Sequence, residues 1–158
     1  MICESENKLN PKFESLKING RCSLQGEIKI SGAKNSALVL LAASLLTKEK
    51  VYLTNVPDIS DIRKMRNILK SIGVKIDNHD KGRMIINAEN LYFGNIPHNL
   101  VNELRASFFC IGPLLSKLGH ASLALPGGCN IGERSIEEHI KGLQELGATI
   151  EEKDGFVN

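Results

Sequence analysis

The chain has 158 residues, 42% of them apolar, which is enough for one domain with a hydrophobic core. Its 20 basic and 18 acidic residues leave a net charge of +2, so no broad field attracts nucleic acid or anionic membrane. Residues 1–13 are too polar for a secretory signal, and the apolar stretch 37–46 is shorter than the roughly 20 residues that span a bilayer. We therefore expect a cytoplasmic globular protein with no nucleic-acid or membrane partner.

Apolar periodicity in the first half of the chain predicts elements in the order β-α-β-α-β-β. Gly73 is expected to end the second helix, because glycine accepts the left-handed conformation that closes a helix. The predicted elements are a strand at 27–30, a helix at about 34–46, a strand at 51–56, a helix at 60–72, and strands at 74–77 and 84–88 that form a hairpin.

The second half of the chain repeats this order. A shift of 74 residues aligns Leu69 with Leu143 and Gly73 with Gly147, which indicates an internal repeat. The predicted elements are a helix at about 100–118, a strand at 121–126, a helix at 135–146 and a strand at 148–153. The predicted units are a polar lead-in at 1–14, a first repeat at 15–96, and a second repeat at 97–158 that is truncated before its last strand.

Lys34 and Asn35 stand at the start of a predicted helix whose following residues are nearly all apolar. A cation in the first turn opposes the helix dipole. Lys34 is therefore either a solvated side chain beside a loop, or part of an anion site that it shares with the free N–H groups of the helix. The position favours the anion site.

Arg105 precedes a strongly apolar segment that predicts a buried helix. Its guanidinium either reaches water along its own stem or points into a cleft, and the local sequence leaves both open. Further along, Ser135 and Glu138 form the S-x-x-E pattern of a capping box, which predicts a helix start with Arg134 just outside it.

Cys129 lies in a glycine-rich segment shortly before that helix start. A thiol near an arginine and a helix N-terminus is expected to have a lowered pKa and raised reactivity, although most cysteines are buried small apolar residues. Cys110, inside an apolar segment, fits the second description. The cysteines form no C-x-x-C pair and the histidines have no metal-ligand spacing, so we expect no metal and no cofactor.

Three segments of the chain are distinctive: GEIKISGAKNSALVLLAASLL, LRASFFCIGPLLSKLG and LPGGCNIGERSIEEHIKGLQELGATI. With them the chain resembles the UDP-N-acetylglucosamine 1-carboxyvinyltransferase family of enolpyruvyl transferases, over about residues 15–158. The resemblance implies an α/β fold, an inside-out α/β barrel built from β-α-β-α-β-β repeats. Here the barrel would be incomplete, with about two repeats of one N-terminal domain, and the second domain of the family would be absent.

The resemblance also implies a reaction and roles for residues. The family transfers the enolpyruvyl group of phosphoenolpyruvate to the 3-hydroxyl of UDP-N-acetylglucosamine, the first committed step of peptidoglycan synthesis. Cys129 would be the catalytic acid and the residue that fosfomycin alkylates, while Lys34 and Arg134 would bind phosphoenolpyruvate. The residues implied to contact substrate are Asn35, Arg105, Arg134, Ser135, Ile136, Glu137 and Glu138.

The chain departs from the family in two ways, and other functions stay open. The family usually has proline, valine and aspartate after the arginine, where this chain has Ser135, Ile136 and Glu137. It is also more than twice as long, so this chain is expected to be inactive alone unless a separately encoded C-terminal half completes it. The alternatives are a non-catalytic remnant that binds nucleotide sugar weakly, the sister 5-enolpyruvylshikimate-3-phosphate synthase, and a thiol-redox protein.

Overall fold

A computed structural model of the protein describes residues 17–18, 20, 23, 25–79, 82–92, 96–125 and 135–158. Within these residues it contains short helices and two small antiparallel sheets. The α-helices are α1 (Lys34–Ala43), α2 (Ser60–Ser71), α3 (His98–Asn102), α4 (Ile111–Leu118) and α5 (Glu137–Glu145). The strands are β1 (Val51–Leu53), β2 (Lys75–His79), β3 (Arg83–Asn87), β4 (Leu123–Ala124), β5 (Glu152–Lys153) and β6 (Phe156–Val157), and two 3₁₀ helices lie at Ser44–Leu46 and Arg105–Cys110.

The first sheet has the strand order β1-β3-β2, with every pair antiparallel. Ile86 of β3 lies opposite Val51 on one side and Ile76 on the other, and its side chain is fully buried. The next row, with Tyr52 and Asp77, faces solvent. The sheet therefore buries one face against the helices, as the alternating pattern predicts.

The second sheet has the order β4-β6-β5, which is the same arrangement of strands as in the first sheet. In each sheet the last strand lies between the other two. The sequence predicted that the second repeat stops before its last strand. In the structure Phe156–Val157 forms that strand, β6, and it is the central strand of the second sheet.

The core lies where α1, α2 and the first sheet meet. In α2 the side chains of Ile62, Met65, Ile68 and Leu69 are at most 2% exposed. Full burial of such a side chain contributes roughly 1.5–3 kcal/mol. The amphipathic face that predicted this helix is therefore also the face that anchors it.

Two predicted elements are wrong. Residues 27–30 form no strand, and Ile28 is 86% exposed, because no strand in the described part of the chain pairs with them. The single helix predicted at 100–118 is three helices in the structure: α3, the 3₁₀ helix Arg105–Cys110, and α4. Extended backbone at Leu104 separates α3 from the 3₁₀ helix. Pro113 lies in the first turn of α4, where its missing N–H costs nothing, whereas inside a continuous helix it would break a hydrogen bond.

Candidate functional site

The site predicted from the sequence divides into a described part and a part outside the described residues. Cys129 and Arg134 fall outside them, so their roles stay predictions. The described residues of the predicted site are Lys34, Asn35, Arg105, Ser135, Ile136, Glu137 and Glu138.

Lys34 is the first residue of α1, and its side chain pairs with α2. Its Nζ lies 2.9 Å from Oδ2 of Asp61, with the two side chains 52% and 30% exposed. The preceding residue, Ala33, has extended backbone and offers no side-chain cap. A cation at this end opposes the dipole of α1, whereas Asp61 in the first turn of α2 lies where a helix favours a carboxylate. The ion pair thus offsets the unfavourable position of Lys34.

The segment before Lys34 is held against the loop that leads into α2. A Cβ placed on Gly32 would overlap the carbonyl oxygen of Asn55 and lie 3.2 Å from Cδ of Pro57. Asn55 itself has a φ of 56°, in the left-handed region that asparagine tolerates. This close backbone approach requires glycine at position 32, and it brings the start of α1 beside the chain entering α2.

A second ion pair connects α2 to the segment that carries Arg105. The Nζ of Lys64 lies 3.3 Å from a carboxylate oxygen of Glu103 and 3.4 Å from its carbonyl oxygen. Lys64 follows Asp61 by one helical turn, so both side chains leave the same face of α2. This face therefore contacts the segments that hold Lys34 and Arg105, two of the predicted anion-binding cations, and the sequence predicted no role for it.

Arg105 and Ser135, both predicted site residues, are brought together. The guanidinium Nη2 of Arg105 donates a hydrogen bond of 3.1 Å to the carbonyl oxygen of Ser135. His139 of α5 packs edge-on against Phe108 at a centroid distance of 5.6 Å, next to this contact. Arg105 therefore binds the chain just before α5, and the partner 30 residues away carries no local sequence signal.

The predicted capping box at Ser135 and Glu138 is wrong. The Ser135 hydroxyl accepts a hydrogen bond of 2.9 Å from the N–H of Glu137, and the Glu138 carboxylate instead accepts one of 3.3 Å from Lys141. Because α5 begins at Glu137 with Ile136 as its N-cap residue, Ser135 lies one position too early to cap it. Glu137 and Glu138 are exposed in the first turn, where carboxylates are favoured, and Ile136 is partly buried.

Cys110 has the structural role that its apolar surroundings predict. Its side chain is completely buried, and this desolvation raises the pKa of the thiol to about 12. A thiol that stays protonated at neutral pH is a poor nucleophile. Among the described residues, no cluster of three or more His, Cys, Asp or Glu side chains is arranged to hold a metal ion.

No helix in the described part of the chain has the length and apolar character needed to cross a bilayer. The structure is an α/β protein in which a strand, a helix and a hairpin occur twice in the same order, and Lys34 stands at the start of a helix. The sequence profile of EPSP synthase (3-phosphoshikimate 1-carboxyvinyltransferase) matches residues 18–158. The chain belongs to this family.

Individual relatives within the family are similar to this chain over most of its length. A UDP-N-acetylglucosamine 1-carboxyvinyltransferase of Prochlorococcus marinus (strain MIT 9515) is 63% identical over 150 residues, covering 95% of this chain and 32% of the relative. An enzyme of the same name from Parasynechococcus marenigrum (strain WH8102) is 54% identical over 143 residues, covering 90% and 33%. The chain thus spans about a third of the length of these curated relatives.

A solved structure shows the same fold. The enolpyruvyl transferase NikO from Streptomyces tendae superposes with a TM-score of 0.71 at 24% identity, covering 85% of this chain and 29% of that protein. At this identity the likeness concerns the fold alone.

Proposed function

We propose that this chain forms part of an enzyme that transfers the enolpyruvyl group of phosphoenolpyruvate to the 3-hydroxyl of UDP-N-acetylglucosamine, the first committed step of peptidoglycan synthesis. The observation that carries the proposal is the 63% identity, over 95% of the chain, to a relative bearing that name. The glycine-rich segment with Cys129 also favours this reaction over the sister reaction after which the family is named. We place the enzyme in the cytoplasm.

The proposed architecture is the inside-out α/β barrel, of which this chain supplies about two repeats. Two sheets of the same strand order support it. In this architecture the reaction takes place between two domains, so the chain alone provides one wall of the site.

The proposed chemistry assigns a task to each residue type. The sugar 3-hydroxyl gives its proton to a base supplied by the rest of the enzyme, and its oxygen adds to C2 of phosphoenolpyruvate while Cys129 protonates C3. A base then takes a proton from C3, the C2–O bond breaks, and inorganic phosphate leaves. Lys34 and Arg134 hold the anionic groups of phosphoenolpyruvate, and Arg105 stabilises the phosphate side. Lys34 suits this task because an ammonium has three donors and Asp61 is one partner.

The proposed contacts to UDP-N-acetylglucosamine come from two places. Asn35, in the first turn of α1, contacts the sugar. The segment from Arg134 onward lines the nucleotide pocket through Ser135, Ile136, Glu137 and Glu138. Glu137, with a longer side chain than the aspartate usual in the family, alters the shape of that pocket. The contact between Arg105 and Ser135 supports a common site for the two groups.

We expect negligible activity from this chain alone. An enzyme gains most of its rate from substrates that are held and desolvated between complete walls. In the described residues α5 has no fully buried side chain, and Leu146 is 86% exposed. These features support a chain that works with further protein, and a separately encoded C-terminal half is the partner we propose.

Intact-mass measurement after treatment with fosfomycin tests the proposal. We expect a single adduct that is lost in Cys129→Ser, is retained in the matched control Cys3→Ser, and forms faster when UDP-N-acetylglucosamine is present. A faster adduct requires that the chain assembles the nucleotide-sugar pocket. No adduct, or one whose rate ignores the sugar, would contradict the proposal and favour a non-catalytic remnant.

A further inference from the structure

Asp61 takes part in no step of the proposed chemistry, yet its carboxylate forms an ion pair with Lys34, a proposed ligand of phosphoenolpyruvate. The Lys34 Nζ lies 2.9 Å from Asp61 Oδ2, and the Asp61 side chain is only 30% exposed although it lies in a surface turn of α2. The same face of α2 holds Glu103, close to Arg105, through Lys64. The helix thus contacts the chain segments that carry Lys34 and Arg105.

A lysine at a helix start needs such a partner if it is to serve as a fixed ligand. The flexible side chain samples many rotamers in water, and ordering it during binding weakens affinity. In α1 no N-cap side chain assists, since the cap position is Ala33. A carboxylate that already orders the ammonium removes part of this cost before the substrate arrives.

We propose that Asp61 is a positioning residue, which holds the Lys34 ammonium at the start of α1 so that its remaining donors bind an anionic oxygen of phosphoenolpyruvate. This inference rests on the proposed function, since it takes phosphoenolpyruvate as the ligand of Lys34. Asp61 acts through Lys34 and touches no reacting atom.

The opposite effect, repulsion of the anionic substrate by Asp61, is reduced by its surroundings. The carboxylate lies in the first turn of α2, where the helix dipole offsets negative charge, and it is paired with Lys34. Because the repulsion is reduced in this way, we expect removal of the Asp61 charge to weaken substrate binding.

Titration of the 158-residue chain with phosphoenolpyruvate, followed by the backbone amide signal of Asn35 in NMR spectra, tests the inference. Asp61→Asn is expected to raise the dissociation constant about three- to five-fold, the range for a partly exposed ion pair. Asp61→Glu, which keeps the charge, is expected to restore binding to within about two-fold. The matched control is Asp58→Asn: Asp58 is 76% exposed, precedes the same helix and pairs with Arg63.

A second pair of variants separates positioning from a general loss of structure. In a Lys34→Gln background, Asp61→Asn is expected to cause no further change, because interacting residues are not additive. A further loss in that background would overturn the inference, as would Asp61→Asn binding as tightly as the wild type or more tightly. If the wild-type chain itself binds no phosphoenolpyruvate, the proposed function fails, and the inference fails with it.

Discussion

The two repeats of this protein have the same topology but differ in how far they are buried. Gly73 and Gly147 have φ values of 93° and 94°. After each helix the next N–H returns to an equivalent carbonyl, from Val74 to Leu69 at 3.1 Å and from Ala148 to Leu143 at 3.0 Å. The local geometry of the repeat is therefore reproduced almost without change.

Burial differs because the helices have different neighbours. α2 packs against α1 and α3, and four of its side chains are buried, whereas α5 has none. The hairpin of the first repeat has five residues in each strand, and that of the second has two. Local sequence patterns thus determine topology, whereas stability depends on what packs against each helix.

The largest expected effect is on the free energy of unfolding, compared between alanine variants of two leucines that the 74-residue shift aligns. Leu69 of α2 is completely buried, whereas Leu143 of α5 is only partly buried. We expect Leu69→Ala to lower the free energy of unfolding by about 2–5 kcal/mol, the usual result of a core cavity, and Leu143→Ala to have less than half that effect. Urea denaturation of both variants provides the measurement. Equal losses would mean that α5 is as well covered as α2.

The glycines that end the two helices give the next largest difference. A Cβ on Gly73 would lie 2.5 Å from the carbonyl oxygen of Asn90 and 2.8 Å from the ring of Tyr92, whereas one on Gly147 meets nothing within 4 Å. Gly147→Ala is expected to cost roughly 1–3 kcal/mol, because alanine is strained at this positive φ. Gly73→Ala carries the same strain and a steric clash.

Thermal unfolding of the two glycine variants checks this difference. The lower melting temperature is expected for Gly73→Ala, since its clash adds to a strain that both variants share. A lower melting temperature for Gly147→Ala would show that the space around the two turns does not control the effect.

Local sequence signals predicted the elements that depend on near neighbours. The helix at 60–72 and the hairpin around Gly82 follow from periodicity and turn residues, and both are confirmed. The strand at 27–30 failed because pairing requires a distant partner. The helix at 100–118 failed because the periodicity gave no sign of the extended backbone at Leu104.

The candidate site shows the same limit. Arg105 was predicted inside a helix at 100–118 and stands at the start of a 3₁₀ helix, whereas the position of Lys34 at a helix start was predictable, because it precedes an apolar segment. Their partners were not, since Asp61 and Ser135 are 27 and 30 residues away along the chain. A pattern confined to a few residues predicts which side chain stands at a helix start, but not what it contacts across the fold.

A smaller effect concerns pH and the buried part of the second repeat. Burial raises the pKa of Cys110 to about 12 from its ordinary value of 9.0, so between these values the unfolded chain loses the thiol proton and the folded chain keeps it. The stabilisation is therefore complete below pH 9 and is lost as the pH rises toward 12. At pH 10 we expect a loss of about 1 kcal/mol.

Urea denaturation at pH 8 and pH 10, compared between wild type and Cys110→Ala, isolates this contribution from that of other groups. The variant is expected to be less stable at pH 8, because it leaves a cavity, but to lose less stability on going to pH 10. An identical pH dependence in both proteins would show that the thiol is not desolvated.

The smallest expected effect tests whether charge pairs stabilise α5 where burial does not. Glu138 accepts a hydrogen bond of 3.3 Å from Lys141 one turn later, and the two side chains are 87% and 63% exposed. Water screens such a pair, so Glu138→Gln is expected to change the free energy of unfolding by less than about 0.5 kcal/mol in urea denaturation. A larger loss would mean that α5 depends on its surface charges, and the contrast between the repeats would then lie in the kind of interaction rather than in its strength.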